Sequence, residues 1–129
     1  MIHMNKAEKV KKWREANPEK FKAQKKREND KRKAAGYYKK NEAKIFDSYL
    51  KRTYNTDLLS YNLLLEEQGG TCAICKEECP SGRRLAQDHC HDTGKNRGLL
   101  CCKCNRGLGN LNDDLDRLRA AVLYLEKYQ

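Results

Sequence analysis

The sequence predicts a mostly helical α+β protein in which helices flank a small β-containing segment held together by metal. Three observations support this fold class. Long runs near both ends are rich in helix-forming residues. Hydrophobic residues make up only 38% of the chain and charged residues 36%, which limits the core that the chain can bury. All seven cysteines lie between Cys72 and Cys104, so we expect a bound metal to supplement that core.

The N-terminal helices form the first part of the chain. Residues 5–52 have a helical composition that is interrupted at Asn17-Pro18, where asparagine can cap a helix and proline fits its first position. Gly36 is a weaker break. Residues 1–54 carry 18 Lys+Arg against 7 Asp+Glu, whereas residues 55–129 carry 10 against 11. We therefore divide the chain into a basic helical extension (1–54) and a second domain (55–129).

The basic extension indicates a polyanionic partner. Its positive field would attract nucleic acid and release condensed counterions on binding, and the alternative is a lysine-rich helix that only faces solvent. The candidate DNA-binding residues here are Lys22, Lys25, Lys26 and Arg27. No apolar run approaches the ~20 residues of a membrane span, and the N-terminus lacks an apolar signal region. These absences predict a cytosolic protein that does not contact a membrane.

Apolar residues at helical spacing predict a helix on each side of the cysteine segment. The first is capped by Thr56 or Asp57 and ends at residues 68–70, and the second begins at Asn112 or Asp113. Their apolar stripes are Leu58, Tyr61, Leu64 and Leu65 in the first helix and Leu115, Leu118, Val122 and Leu125 in the second. The first stripe is predicted to be core. Between the helices we expect loops and two short strands, near residues 84–89 and 97–101.

The cysteines form two C-x-x-C units, Cys72 to Cys75 and Cys101 to Cys104, separated by 25 residues. Four thiolates complete a tetrahedral shell and leave no open position, so the pattern predicts a structural zinc site. An iron–sulfur or rubredoxin-like iron site shares the spacing, but electron transfer does not require the histidines and the acid between the pairs. The other three thiols, of Cys79, Cys90 and Cys102, are interpreted as ordinary ones, with Cys79 as an alternative ligand.

The segment between the pairs contains residues suited to phosphodiester hydrolysis. In extended geometry His89 and His91 share a face and Asp88 points away, so the chain must bend if all three serve one site. Asn105 follows the last cysteine, and with Asp88 it offers oxygen ligands that suit Mg²⁺. A neutral histidine can take a proton from water. Positive charge for the phosphate can come from Lys95, Arg97 and Arg106.

These residues form the pattern C-x-x-C … D-H-x-H-x-T-G-x-x-R-G-L-L-C-x-x-C-N-x-x-L-G. The pattern resembles the phage recombination endonuclease VII family of HNH, or ββα-metal, nucleases, and the match extends from about Gln68 to Asp113. The resemblance implies a ββα-metal core and cleavage to 5′-phosphate and 3′-hydroxyl ends. It also implies a role for each matched residue. Zinc binds to Cys72, Cys75, Cys101 and Cys104; a catalytic Mg²⁺ or Mn²⁺ binds to Asp88 and Asn105; His89 is the general base; and His91 contacts the scissile phosphate or stabilises the transition state.

The predicted activity is that of a metal-dependent DNA endonuclease that nicks or cuts DNA, in host cytoplasm if it is phage-encoded. Branched DNA stays open as a substrate, because the best-known junction-resolving member has a glutamate where this chain has Leu108. Two alternatives share the cysteines and the basic helices: a non-catalytic zinc-finger DNA-binding module and a structural or adaptor protein of a phage particle. Only the nuclease needs Asp88, His89 and Asn105 together. A homodimer is compatible with an active site that cuts one strand.

Overall fold

The protein is described by a computed structural model that covers residues 5–129, so the predicted lack of a signal region lies partly outside the described residues. The elements in chain order are α1 (Lys6–Ala16), α2 (Pro18–Ala34), α3 (Tyr37–Lys40), α4 (Glu42–Tyr54), α5 (Leu58–Glu67), β1 (Ala86–His89), β2 (Asn96–Leu100), α6 (Cys102–Asn110) and α7 (Leu115–Lys127). The two strands pair in an antiparallel sheet. The predicted mostly helical α+β class is therefore confirmed, and β1, β2 and α6 follow one another as a ββα unit.

Packing divides the chain into two compact units, one ending at Ile45 and one running from Phe46 to Gln129. The boundary falls inside α4. It reflects packing, whereas the division at residue 54 was drawn from charge and stays a prediction. In the part of the chain that the structure describes, no helix is long and apolar enough to cross a membrane.

The helices of the first unit begin and end where local side chains favour it. At the start of α1, Asn5 and Glu8 exchange backbone-to-side-chain hydrogen bonds of 2.9 Å in a capping box. Pro18 opens α2, as predicted. Gly36 separates α2 from α3 with a φ of 66°, which glycine adopts without strain. Neither α1 nor α2 buries a residue, so their basic side chains face solvent.

The second unit has a small core that joins two helices to the hairpin. Leu50 from α4, Tyr61 from α5 and Leu99 from β2 are buried in one cluster. The Tyr61 hydroxyl donates a 2.7 Å hydrogen bond to the Leu85 carbonyl just before β1. The other buried members of the cluster are Cys72, Leu85, Leu100 and Cys101. The predicted core role of the α5 stripe is confirmed, since its leucines pack against this cluster.

The structure corrects the predicted start of the last helix. Asp114 caps α7 by accepting a 2.9 Å hydrogen bond from the Arg117 backbone N–H, and neither Asn112 nor Asp113 is the cap. Both of those residues have left-handed φ angles, 57° and 53°, whereas an N-cap needs extended backbone. At the other flanking helix Asp57 is the cap, with its carboxylate 2.8 Å from the Ser60 nitrogen.

Strand limits and one helix face also differ from expectation. The strands are Ala86–His89 and Asn96–Leu100, against the predicted 84–89 and 97–101. The second ends one residue early because Cys101 already caps α6. The apolar face of α7 is mostly exposed: Leu115, Val122 and Leu125 are each more than half accessible.

We predict that Leu50→Ala destabilises the second unit by roughly 2–5 kcal/mol, because it leaves a cavity where a fully buried side chain contacted both α5 and the hairpin. Chemical denaturation followed by circular dichroism measures the change. The matched control is Leu123→Ala on α7, whose side chain is 66% exposed and whose loss should change the unfolding free energy little. Equal effects of the two variants would contradict the assignment of α4 to this core.

Candidate functional site

The four cysteines of the two C-x-x-C units converge on one point. The Sγ atoms of Cys72, Cys75, Cys101 and Cys104 all lie within 4.8 Å of one another. Cys75 and Cys101 are 3.9 Å apart at sulfur, close to the ~3.8 Å that a tetrahedron with ~2.3 Å metal–sulfur bonds requires. Among the acids, thiols and imidazoles of the described residues, these four cysteines lie close enough together to bind one metal ion. Cys79, Cys90 and Cys102 are not part of it.

Backbone hydrogen bonds hold the first pair in a knuckle against the hairpin. The Cys72 N–H donates to the Glu77 carbonyl, and the Lys76 N–H donates back to Cys72 at 3.0 Å. The Ala73 N–H donates to Leu99 on β2, also at 3.0 Å. Gly98 allows this close approach, because a Cβ on it would lie 3.1 Å from the Ala73 side chain, a tight contact. The knuckle and β2 are therefore in close backbone contact.

The cysteines of the quartet differ in how readily they form thiolates in the absence of a metal. Burial by itself would raise the pKa of Cys72, but N–H groups of Cys101, Cys75 and Ile74 outweigh it and lower the pKa to about 6. Burial and the neighbouring thiols raise the pKa of Cys104 to about 12. A bound cation would favour the thiolate at every one of these positions. Four soft sulfur donors with no additional ligand match a closed structural metal site, a donor set that both zinc and iron–sulfur centres use.

The predicted catalytic residues lie on β1 and just beyond it. Gln87 pairs with Leu99 and His89 with Asn96, so the register shifts by one residue at Asp88. The Gln87 amide spans this irregularity by donating to the Asp88 and Arg97 carbonyls, both at 3.1 Å.

His89 and His91 share a face, as expected for extended backbone. Their rings stack with centroids 4.9 Å apart and planes 12° apart. The Tyr54 ring meets His89 edge-on at 5.3 Å. Burial, a hydrogen bond to Tyr49 and the nearby Asp88 charge raise the pKa of Tyr54 to about 12. Tyr54 therefore remains a neutral phenol that supports one side of the His89 ring.

Asn96 was missed by the sequence interpretation. It pairs with His89 across the sheet, and its amide nitrogen donates 2.9 Å to the Tyr54 carbonyl. Its buried side-chain oxygen has no hydrogen-bond partner within residues 5–129. Asn96 thus anchors the residue that packs on His89. The sequence could not indicate this, since a single asparagine beside a turn is ordinarily a loop residue.

The Asp88 carboxylate is 7% exposed and is held by Arg97. The Arg97 Nε lies 2.6 Å from one carboxylate oxygen and an Arg97 terminal nitrogen lies 3.1 Å from the other. The same guanidinium reaches Asp113 at 3.0 Å. These contacts, with Asp88 the larger influence, raise the pKa of Arg97. Two carboxylates and one guanidinium leave a net charge of −1 in a groove of about 310 Å³.

Asn105 occupies the first turn of α6, which packs against both strands. Its side chain is exposed and lines a second groove of about 430 Å³ together with Arg106. Asp88 lines the groove of about 310 Å³, and Leu108 of α6 lines the same groove. His89 therefore lies beside His91, and Asp88 lies beside Arg97. Asp88 and Asn105, in contrast, line separate grooves.

The remaining predicted DNA-binding residues are all exposed. Lys95 lies in the hairpin turn, where Gly94 has a φ of 71°. The four basic candidates of the extension lie on α2. Lys22 pairs with Glu19 at 2.9 Å and Lys25 with Glu28 at 3.2 Å. For Lys26 and Arg27 the described residues contain no ion pair.

Comparison with known proteins identifies relatives for the second unit. Residues 47–127 match the family described as recombination endonuclease VII, which confirms the resemblance seen in the motifs. The chain is 42% identical over 76 residues to the Gene 59 protein of Mycobacterium phage D29 and 40% identical over 74 residues to the Gene 59 protein of Mycobacterium phage L5. These alignments cover 58% and 57% of this chain.

The curated relatives are longer than this chain. The aligned segments span 46% and 45% of the two Gene 59 proteins. Among solved structures, the ββα-Me type II restriction endonuclease Hpy99I is 33% identical, with a TM-score of 0.42, over 54% of this chain and 42% of that one.

We predict that Cys101→Ser removes the bound metal and unfolds the second unit, because metal binding is part of its folding free energy. Zinc content by atomic emission and a thermal melt measure the two effects. The matched control is Cys90→Ser, since Cys90 is outside the quartet, and it should retain both the metal and the melting temperature. A normal melting curve for Cys101→Ser would contradict a structural role for the site.

Proposed function

The chain belongs to the recombination endonuclease VII family, and we propose that it is a metal-dependent DNA endonuclease with its active centre on the β1–β2 hairpin and α6. One observation carries the proposal. A histidine pair stacked at 4.9 Å adjoins a buried carboxylate at a register shift of the hairpin. Next to it, a cysteine quartet joins the end of β2 to the start of α6. An imidazole and an acid held on such a rigid support are what hydrolysis of a phosphodiester requires.

His89 acts as the general base in this mechanism. Its neutral imidazole takes the proton from the attacking water, which then adds to phosphorus in line with the leaving 3′ oxygen. Tyr54 and His91 both restrict the ring, at centroid distances of 5.3 Å and 4.9 Å. His91 is exposed, so it is available to donate a hydrogen bond to a non-bridging phosphate oxygen.

Asp88 and Asn105 would hold a catalytic Mg²⁺ or Mn²⁺. Their oxygens suit a hard cation, the Asp88 groove retains a charge of −1, and a carboxylate has about four lone-pair sites, of which Arg97 uses two. When bound, such an ion stabilises negative charge on the phosphate and the leaving oxygen. The two side chains line separate grooves. That both coordinate the same ion is therefore part of the proposal.

Arg97 has a positioning role in this proposal rather than the DNA contact first expected. Three of the five N–H donors of its guanidinium are engaged by two carboxylates, whose negative charges balance its own and weaken its attraction for a phosphate. Holding Asp88 in a single orientation reduces the cost of organising a metal ligand. Lys95 and Arg106 are exposed and remain the proposed contacts to the DNA backbone near the cut.

Cleavage assays test the mechanism. His89→Ala should lower the cleavage rate of plasmid DNA by about 10²-fold or more, the usual loss when a general base is removed. Asn105→Ala should also lose cleavage, whereas its matched control Asn110→Ala, altered at the exposed end of α6, should cleave normally. Plasmid and branched DNA are incubated with Mg²⁺, Mn²⁺ or EDTA, and cleavage should require the divalent ion.

The controls separate catalysis from folding. Zinc content and melting temperature should be unchanged in the histidine and asparagine variants. Cleavage by His89→Ala at the wild-type rate would remove His89 from the mechanism. A wild-type protein that binds DNA but cuts none with either ion would instead be a non-catalytic zinc-finger module.

We also predict that the exposed cations of α2 bind DNA. Lys26→Ala combined with Arg27→Ala should reduce the slope of log K against log salt by about 1.8, because each phosphate contact contributes ~0.9. Fluorescence anisotropy over a salt series measures this slope. The charge-matched control, Arg117→Ala with Arg119→Ala on α7, should have a smaller effect. An unchanged slope in the α2 variant would mean that this face only meets solvent.

A further inference from the structure

We propose that the groove between the Cys79–Arg84 loop and α6 holds the phosphodiester backbone of the DNA strand next to the cleavage site. This inference rests on the proposed nuclease function and extends it by assigning a strand-binding site to the second unit. The groove measures about 430 Å³, and its lining includes Ser81, Arg83, Arg84, Asn105 and Arg106.

The charge of the groove is the first argument. Residues 55–129 contain 10 Lys+Arg against 11 Asp+Glu, so this part of the chain has no general attraction for DNA. Three of those ten cations nevertheless line one groove, and none of its lining residues is acidic. A concave surface lined by a single sign of charge raises the local concentration of the opposite charge, and an arginine guanidinium can bind phosphate oxygens in bidentate fashion.

The second argument is the arrangement of the arginines. The Arg84 guanidinium lies 4.6 Å above the Phe46 ring, a cation–π contact that restricts its position. Neither Arg83 nor Arg106 forms an ion pair with a carboxylate in the described part of the chain. The Ser81 hydroxyl lies in the same groove and accepts from the Arg83 backbone N–H. Arg83 and Arg106 therefore keep donors available for a phosphate, and the proposal depends on these two.

The position of Asn105 connects the groove to chemistry. Asn105, the proposed ligand of the catalytic ion, lines the groove directly, so a backbone bound there enters the active centre from the α6 side. Arginine contacts to phosphate carry no base information. The groove should accordingly strengthen binding of any sequence, and it should act mainly on KM, with little effect on kcat.

The test removes two of the cations and leaves Arg84 in place because it packs on the core residue Phe46. Arg83→Ala with Arg106→Ala in the full chain should weaken duplex DNA binding by about tenfold or more and reduce the salt slope by about 1.8. KM for plasmid cleavage should rise while kcat stays within about twofold. The α7 control, Arg117→Ala with Arg119→Ala, loses the same charge from the same unit and should change KM much less.

A measurement without arginine variants gives a second test. Cys79 lines the groove, and its Sγ lies 3.1 Å from the Ser81 hydroxyl, so a DNA strand bound in the groove would cover this thiol. Iodoacetamide labelling of the otherwise native His89→Ala protein, followed by peptide mass spectrometry, should be several-fold slower at Cys79 when a short duplex is bound.

The outcomes separate this inference from the proposed function. If the wild-type protein cleaves DNA but the groove variant and the α7 control have equal KM and equal salt slopes, the groove assignment is overturned and the nuclease stands. An alkylation rate at Cys79 that is unaffected by DNA also overturns it. If the wild-type protein neither binds nor cuts DNA, both proposals fail together.

Discussion

The cysteine quartet is the constraint on which the rest of the second unit depends. Cys101 follows the last residue of β2 and caps α6, so its sulfur lies where strand becomes helix. Its Sγ also accepts from the Cys104 N–H at 3.4 Å, and the knuckle that carries Cys72 donates to β2 through Ala73. One bound ion would therefore set the angle between β2 and α6. The hydrophobic core around Leu50 and Leu99 is small, and such a core gains much of its definition from a metal.

The arrangement around Asp88 has both a stabilising and a functional consequence. A buried carboxylate is costly unless its charge is balanced and its lone pairs are hydrogen-bonded, and Arg97 meets both needs with contacts of 2.6 Å and 3.1 Å. Asp113 from the turn after α6 shares the same guanidinium. This bridge links the hairpin to the segment that begins α7, so it stabilises the second unit while it orients a proposed metal ligand.

The two units differ in how the positive charges that could attract a polyanion are distributed. The helices α1 and α2 bury no residue, and the charge excess of residues 1–54 makes them a general electrostatic attractant. The second unit is nearly neutral overall, but three of its arginines line the groove between the Cys79–Arg84 loop and α6. We therefore propose that long-range attraction and local alignment of the strand are functions of different parts of the chain, and that neither depends on base identity.

Much of this organisation was determined by the sequence alone, because it depends on local rules. Residue spacing predicted the metal quartet, Asn17-Pro18 and Gly36 marked helix limits, and the motif around Asp88 and His89 identified the family, for which residues 47–127 match. The site residues themselves remain predictions. Asp114 was not predicted as the α7 cap, since the choice among three adjacent polar residues depends on the left-handed backbone before it.

Only the tertiary structure decided which side chains meet over long sequence separations. The pairing of Arg97 with Asp88 crosses the hairpin where the register shifts by one residue, and the contact of Asn96 with Tyr54 joins residues 42 positions apart. The groove between the Cys79–Arg84 loop and α6 likewise joins residues that precede β1 to the first turn of α6. Such contacts arise from packing between elements, and composition, spacing and periodicity describe a chain only along its own length.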